Sequence, residues 1–257
     1  THDTMLLVSD TIPINIGYIA SYCKHYFKGD VDIELFKFPA EVIEEIKKNP
    51  PDLIGLSNYS WNSNLSELVA GIAKKYNPRC ITVQGGTNFP HQSNLQLEYL
   101  KQRPATDLHT VFEGETAFFN IIERLISSEN GQKELFSSPI SGSVFIDPKT
   151  LNLDDKKLMS TILPPRLKFL DEIPSPYLNG MLDKFFDGRL TPFLETNRGC
   201  PFKCSFCHTG ADYFQKINNF SIERVKEEIE YIGKRASKND IANLHIADTN
   251  FGMFPRD

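Results

Sequence analysis

Polar and apolar positions in the first half of the chain change period repeatedly, and the changes come at regular distances. Met5 to Val8 is a short apolar run. Over residues 14–27, Ile16, Ile19, Ala20, Cys23 and Phe27 recur at helical spacing, which predicts a helix with one buried face. Residues 31–38 alternate and are rich in β-formers, and 39–48 return to a helical pattern. Asp52 to Ser57 is nearly continuous in apolar residues, as expected of a strand covered on both faces. An amphipathic helix is predicted over 65–76 and a strand over 80–84, closed by Gly85-Gly86. Residues 109–112 read as a further strand, followed by Glu113-Gly114-Glu115 and a helix from 116 to 126. Strands and helices alternating in this way predict an α/β fold with a doubly wound parallel sheet. Its crossovers are expected to be right-handed, with ligands bound at the carboxyl ends of the strands.

The pattern changes over 128–190, where Ser, Asn, Pro and Lys become frequent. Residues 144–146 read as an isolated strand. Leu170 to Tyr177, L-D-E-I-P-S-P-Y, reads as an extended linker, because proline and the residue before it disfavour helix. The expected organisation is a first domain over 1–130, a linker over 131–178 and a second domain over 179–257. That second domain opens with a strand at 191–196 and a loop at 197–214 rich in Gly and Cys. A helix follows, with Ser221 as N-cap, Glu223 in its first turn and Val225, Ile229 and Ile232 as its apolar stripe. The next strand, 243–247, ends at Asp248-Thr-Asn250.

Composition narrows the function classes. The 257 residues are 40% hydrophobic and 24% charged, which suits a soluble globular chain of one or two domains. A net charge of −5 gives no sign of a nucleic-acid or anionic-membrane surface. No apolar run approaches the roughly 20 residues of a membrane span, and no secretory signal pattern is present. The expected compartment is the cytoplasm, where five cysteines are better read as thiols or metal ligands than as disulfides. The chain starts almost on a strand and stops just after one, so it reads as a piece of a longer protein. No G-x-G-x-x-G occurs, which leaves a nicotinamide nucleotide with little support. Gly85-Gly86 either admits a ligand close to the backbone or simply makes a tight turn.

Three of the five cysteines, Cys200, Cys204 and Cys207, fall within eight residues on the loop between the first strand and helix of the second domain. Structural zinc takes four ligands. His208 adjoins Cys207, and adjacent residues rarely reach one tetrahedral ion together. Cys23 and Cys80 belong to the first domain. A cubane iron–sulfur cluster has four irons, and three thiolates can hold it with one iron left open.

The segment C-P-F-K-C-S-F-C resembles the radical S-adenosylmethionine (SAM) signature, C-x3-C-x-aromatic-C, with Phe206 as the aromatic. The resemblance implies that the loop follows the first strand of a partial (β/α)6 barrel. It also implies that Cys200, Cys204 and Cys207 hold a 4Fe-4S cluster whose open iron chelates S-adenosylmethionine. An electron from a donor such as flavodoxin or ferredoxin would cleave SAM to methionine and a 5′-deoxyadenosyl radical, which abstracts hydrogen from a substrate. Phe206 would lie near the adenine, and Asp248 and Asn250 near the amino group of SAM. The plainer alternatives are core packing for Phe206 and a turn or cap for D-T-N. Arg198 would offset cluster charge or pair with a carboxylate.

The flanking E-T-N-R-G-C-P and Asp171-Glu-Ile-Pro-Ser-Pro176, with Gly85-Gly86 and Glu113-Gly114-Glu115, are similar to the subgroup that carries an N-terminal cobalamin-binding-type domain. In that subgroup the first domain is flavodoxin-like (Rossmann-like). The D-x-H-x-x-G motif of histidine-ligated cobalamin is missing, because Asp10 is followed by Thr-Ile-Pro-Ile-Asn. Three readings stand: cobalamin held without that ligand, with Ser57, Asn58, Gly85 and Gly86 lining the pocket for its nucleotide tail, a vestigial scaffold, or a domain that holds substrate. The implied activity is that of a radical SAM enzyme, with cobalamin-dependent methyl transfer in view. A methylthiotransferase would need a second set of N-terminal cysteines. The competing reading is a non-catalytic flavodoxin-like ligand-binding module with a small zinc loop. By the resemblance this chain holds only the first strand, first helix and second strand of the barrel. The catalytic residues and the substrate, a small molecule or a peptide, are therefore not legible.

Overall fold

The structure is a computed structural model that describes residues 10–127, 132–150, 156–160 and 163–253. The apolar run Met5 to Val8 lies outside the described residues. In chain order the elements are α1 Ile14–Phe27, α2 Pro39–Lys48, β1 Leu53–Ser57, α3 Ser63–Tyr76, β2 Ile81–Gly85, α4 Ser93–Lys101, β3 Leu108–Thr110, α5 Gly114–Ser127, α6 Gln132–Leu135, β4 Ser143–Ile146, β5 Leu158–Ser160, β6 Phe193–Leu194, β7 Asn197–Arg198, β8 Asn218–Asn219, α7 Ile222–Lys238 and β9 His245–Ile246. Local chemistry sets several of the ends. Lys28 stops α1 in the left-handed region at φ 48°, the usual way a helix closes. Pro39 occupies the first turn of α2, with Glu41 behind it and Lys47 and Lys48 in the last turn, as the helix dipole favours.

The chain divides into two units: Phe36–Pro165, and Ser9–Leu35 together with Arg166–Asp257. In the first unit, five strands form one sheet in the order β1-β2-β3-β4-β5. β1, β2 and β3 are parallel, with Leu53 opposite Ile81 and Val83 opposite Leu108. Successive strand residues point to opposite faces, and helices cover both. Leu53, Ile81, Val83 and Leu108 pack with Ile121 of α5 and Leu135 of α6. Ile54 packs with Ile46 of α2 and with Val69 and Ala73 of α3. The expected α/β sheet with helices on both faces is therefore present, parallel over β1 to β3.

Three expectations are corrected. Residues 31–38 alternate as foreseen but form no strand, since a pleated pattern needs a neighbour to pair with. Residues 144–146 are not isolated: β4 runs antiparallel to β3, with His109 opposite Val144, and β5 continues from β4. The stretch 131–178 is thus no simple linker, because part of it extends the sheet through backbone pairing that a Ser- and Pro-rich composition conceals.

The second unit holds α1, β6 to β9 and α7. β6 and β9 are parallel, with Phe193 opposite His245 and Leu194 opposite Ile246. Thr11 bridges Thr191 in parallel; Ile12 N donates to Thr191 O at 2.8 Å and Thr191 N to Asp10 O at 2.7 Å. Behind this contact Tyr18 of α1 is fully buried and stacks on Phe220, with ring centroids 5.6 Å apart. The helix expected in the first domain is therefore structurally part of the second. The proline-rich 170–177 segment is anchored here too. Leu170, Ile173 and Tyr177 are fully buried, Tyr177 Oη donates to Phe193 O at 2.8 Å, and Ser175 Oγ donates to Glu228 Oε1 of α7 at 2.6 Å. The extended linker expected here is corrected: Leu170–Glu172 forms a single helical turn and residues 176–179 turn again, because burial of Leu170, Ile173 and Tyr177 folds the segment onto the unit.

Candidate metal and cofactor site

The three cysteines sit on a loop whose base is pinched by a short antiparallel pair, Asn197 opposite Asn219 and Arg198 opposite Asn218. Gly199 turns the chain into the loop at φ 126°, and a Cβ there would stand 2.5 Å from Lys216 O and 2.8 Å from Phe214 O. No residue but glycine fits so close an approach. Cys200 N then donates to Phe214 O at 2.8 Å, Cys207 N to Cys204 O at 3.1 Å and Gly210 N to Cys207 O at 3.0 Å. Gly210 is held just as tightly, since an added Cβ would collide with Cys204 O.

Arg166, which no sequence motif singles out, laces the two sides of the loop base. Its guanidinium donates to Arg198 O at 3.1 Å, to Lys216 O, and to Tyr213 O at 3.5 Å. All three acceptors are backbone carbonyls more than thirty residues away, so no local motif announces them. Arg198 pairs with Glu195, Nε to Oε2 at 2.8 Å, both largely enclosed. Its guanidinium lies 5.1 Å from the centre of the Tyr18 ring. Of the two roles foreseen for Arg198, the ion pair is the one seen.

The cysteines differ in setting. Cys200 is buried, whereas Cys204 and Cys207 are exposed. All five cysteines of the chain are free thiols. Among the described residues, no three His, Cys, Asp or Glu side chains converge as a ligand set for a metal ion. The donor chemistry nevertheless fits an iron–sulfur cluster: three soft sulfur donors on one loop. Hydrogen bonding with Thr209, whose hydroxyl lies 3.2 Å from Cys207 Sγ, holds the Cys207 thiol below its ordinary pKa. That favours the thiolate a metal needs. The His208 ring lies 5.3 Å from that of Phe214.

Phe206 is 91% exposed, so it is not packed into a core among the described residues. Asp248 and Asn250, at the end of β9, both reach the cysteine segment. Asp248 accepts from Thr196 N at 2.7 Å, Asn197 Nδ2 at 2.8 Å, Asn197 N at 3.3 Å and the Thr196 hydroxyl. Its carboxylate thus clamps the chain at Thr196 and Asn197, a long-range contact and not a local turn or helix cap. Asn250 Nδ2 lies 3.1 Å from Cys200 Sγ.

In the first unit, Ser57 and Gly85 end β1 and β2 as direct partners. Asn58 N donates to Gly85 O at 2.7 Å and Asn88 N to Asn58 O at 3.2 Å. Gly86, at φ 142°, would drive a Cβ into Asn58 O, and a Cβ on Gly85 would meet the Thr110 hydroxyl. Both glycines are therefore demanded by the protein's own backbone. The Asn58 side chain is fully buried and turned inward. Its Nδ2 lies 2.8 Å from both Tyr99 Oη and His109 Nε2, and its Oδ1 accepts from Tyr99 Oη at 3.0 Å. His109 contacts Thr110 O through Nδ1 at 2.6 Å and stacks on Phe89 with centroids 3.9 Å apart. Donation from Asn58 to Nε2 and from Nδ1 to Thr110 O fixes a neutral imidazole. Burial pushes its pKa down to about 3, and Arg103 adds to the shift. Ser57 Oγ accepts from Asn62 Nδ2 at 2.8 Å. Ser57, Asn58, Gly85 and Gly86 do come together at the strand ends, but their side chains are engaged inside the unit. A ligand there would meet mainly backbone, with the Ser57 hydroxyl still able to donate.

Comparison with known proteins places the chain among its relatives. Residues 6–122 match the B12 binding domain family. The chain is 33% identical over 258 residues to 2-(S-pantetheinyl)-carbapenam-3-carboxylate methyltransferase of Streptantibioticus cattleyicolor, covering 96% of this chain and 35% of that protein. It is 30% identical over 215 residues to the cobalamin-dependent radical SAM methyltransferase TokK of Streptomyces tokunonensis, covering 80% of this chain and 28% of that one. The chain thus spans about a third of the length of these curated relatives. Among solved structures it resembles the cobalamin-dependent S-adenosylmethionine radical enzyme OxsB with aqua-cobalamin and S-adenosylmethionine bound. The TM-score is 0.67 and the identity 21%, over 94% of this chain and 32% of that one. It also resembles the radical S-adenosylmethionine methyltransferase TsrM of Kitasatospora setae with cobalamin and an iron–sulfur cluster bound. Here the TM-score is 0.65 and the identity 12%, over 94% and 47% of the two chains. At these identities the two structures speak for the fold. Among the described residues no helix is long and apolar enough to cross a membrane. The matched domain, these relatives and the cysteine loop agree: the chain belongs to the radical SAM superfamily, in the subgroup with an N-terminal cobalamin-binding-type domain.

Proposed function

We propose that the protein is a radical SAM methyltransferase in which Cys200, Cys204 and Cys207 hold a 4Fe-4S cluster and the first unit carries cobalamin. The observation that carries this reading is the three-cysteine loop between β6 and α7, closed at its base by Gly199, Arg166 and the β7–β8 pair. A bound cluster would supply one low-potential electron, which together with SAM yields methionine and a 5′-deoxyadenosyl radical. This chain's residues would do the holding. Cys200 would hold one corner from a buried position, while Cys204 and Cys207 are exposed, where a cluster could reach them. Exposed Phe206 stands where a nucleoside could reach it. Asp248 fixes the end of β9 against the segment that leads to Cys200.

The cobalamin part is supported by the matched domain and by the named cofactor of the relatives. The missing D-x-H-x-x-G argues for cobalamin without a histidine beneath its cobalt. Anaerobic reconstitution with iron and sulfide tests the cluster. The expected result is about four irons per chain, lost when the three cysteines are replaced by alanine. Zinc bound in place of iron would overturn the reading and favour a structural metal loop.

A further inference from the structure

Asp248 and Asn250 leave β9 two residues apart, and both turn back toward the cysteine segment. Asp248 is the anchor. With donors from Thr196 and Asn197 on both of its oxygens, its accepting capacity is largely taken up inside the unit. That clamp adds to the Leu194–Ile246 pairing and fixes the end of β9 relative to the residues entering Cys200. Asn250 Nδ2 then lies 3.1 Å from Cys200 Sγ. A deprotonated sulfur can only accept, so the nitrogen end of the amide is the end that must face it. Cys200 is also the one enclosed member of the three, 6% exposed, and a hydrogen bond there is strengthened by the low local dielectric.

We propose that Asn250 is a positioning residue for the cluster: its side-chain N–H donates to Cys200 Sγ, orients that thiolate and raises the reduction potential of the cluster. This rests on the iron–sulfur reading above, and it replaces the assignment of Asn250 to the amino group of SAM. Reduction adds negative charge, part of which resides on the ligand sulfurs. A donor aimed at such a sulfur stabilises the reduced form more than the oxidised one, and hydrogen bonds to sulfur are among the levers that set cluster potentials.

The test is an anaerobic redox titration of the reconstituted protein without SAM, followed by EPR, for wild type, Asn250→Leu and Asn250→Asp. Iron content is expected to be retained. The midpoint should move to more negative potential in Asn250→Leu, and further in Asn250→Asp, where a carboxylate replaces the donor. If only Asn250→Leu loses iron, the midpoint of Asn250→Ala, which removes the donor without adding charge, decides. Unchanged midpoints in both variants overturn the proposal. So does loss of iron from both, because Asn250 then merely holds the loop. A wild-type protein that takes up no iron is a different failure: it defeats the cluster reading itself, and this inference with it.

Discussion

His109 shows how far burial alone can set the state of a side chain. Its folded pKa, about 3, lies below the ordinary 6.5 of an unfolded chain, chiefly because the charged ring would lose its water. Above pH 6.5 both states are neutral and the histidine contributes its full packing. As pH falls below 6.5 the unfolded chain takes up a proton that the folded one refuses. Stability then falls by up to about 1.4 kcal/mol per pH unit until the folded pKa is reached. Urea unfolding from pH 7 to 4 should show this slope, and His109→Gln should flatten it. Gly86→Ala forces a side chain into φ 142° and onto Asn58 O; it should cost about 2 kcal/mol or more, read in the same assay. Thiol alkylation should mark Cys204 and Cys207 first. Cys80, fully buried with its pKa pushed up to about 11 by burial, should react last. At this scale the cysteine triad stands out in the sequence because its members lie within eight residues of one another. Arg166 does not, because its partners are distant backbone carbonyls, nor does the inward turn of Asn58, which depends on Tyr99 and His109 arriving from other elements.

Helices were the elements best read from the sequence. α1 and α2 fall on the residues their spacing predicts, and Ser221 caps α7 by accepting from Arg224 N at 3.2 Å. Ser221→Ala should cost about 1 kcal/mol. A larger loss is expected deeper in α7. Glu228, 1% exposed, accepts from Arg224 Nε at 2.7 Å and from Ser175 Oγ at 2.6 Å. Glu228→Ala strands the mostly buried Arg224 charge and should cost about 3 kcal/mol or more; chemical denaturation separates the two predictions by size. Strands were read less well. β4 and β5 are short and lie in a polar stretch, so only their pairing to β3 reveals them. Residues 31–38 show the converse, an alternating pattern without a partner.

For the whole molecule, the sequence order of elements misleads about which belong together. Residues 10–35 follow the first apolar run yet complete the unit that carries the cysteines, through Thr11 beside Thr191 and Tyr18 against Phe220. A polypeptide of residues 166–257 alone should therefore lack a cooperative thermal transition by circular dichroism, and adding residues 10–35 should restore it. Periodicity speaks of one element at a time, and this arrangement arises only when a buried tyrosine finds its partner some two hundred residues away. The central claim is that Cys200, Cys204 and Cys207 hold a cluster that SAM can reach. The most direct measurement is EPR of the reduced, reconstituted protein with and without SAM. The account predicts a reduced iron–sulfur signal that SAM perturbs and that disappears in the triple Cys→Ala variant. A signal indifferent to SAM, or one that survives loss of the three cysteines, would contradict it.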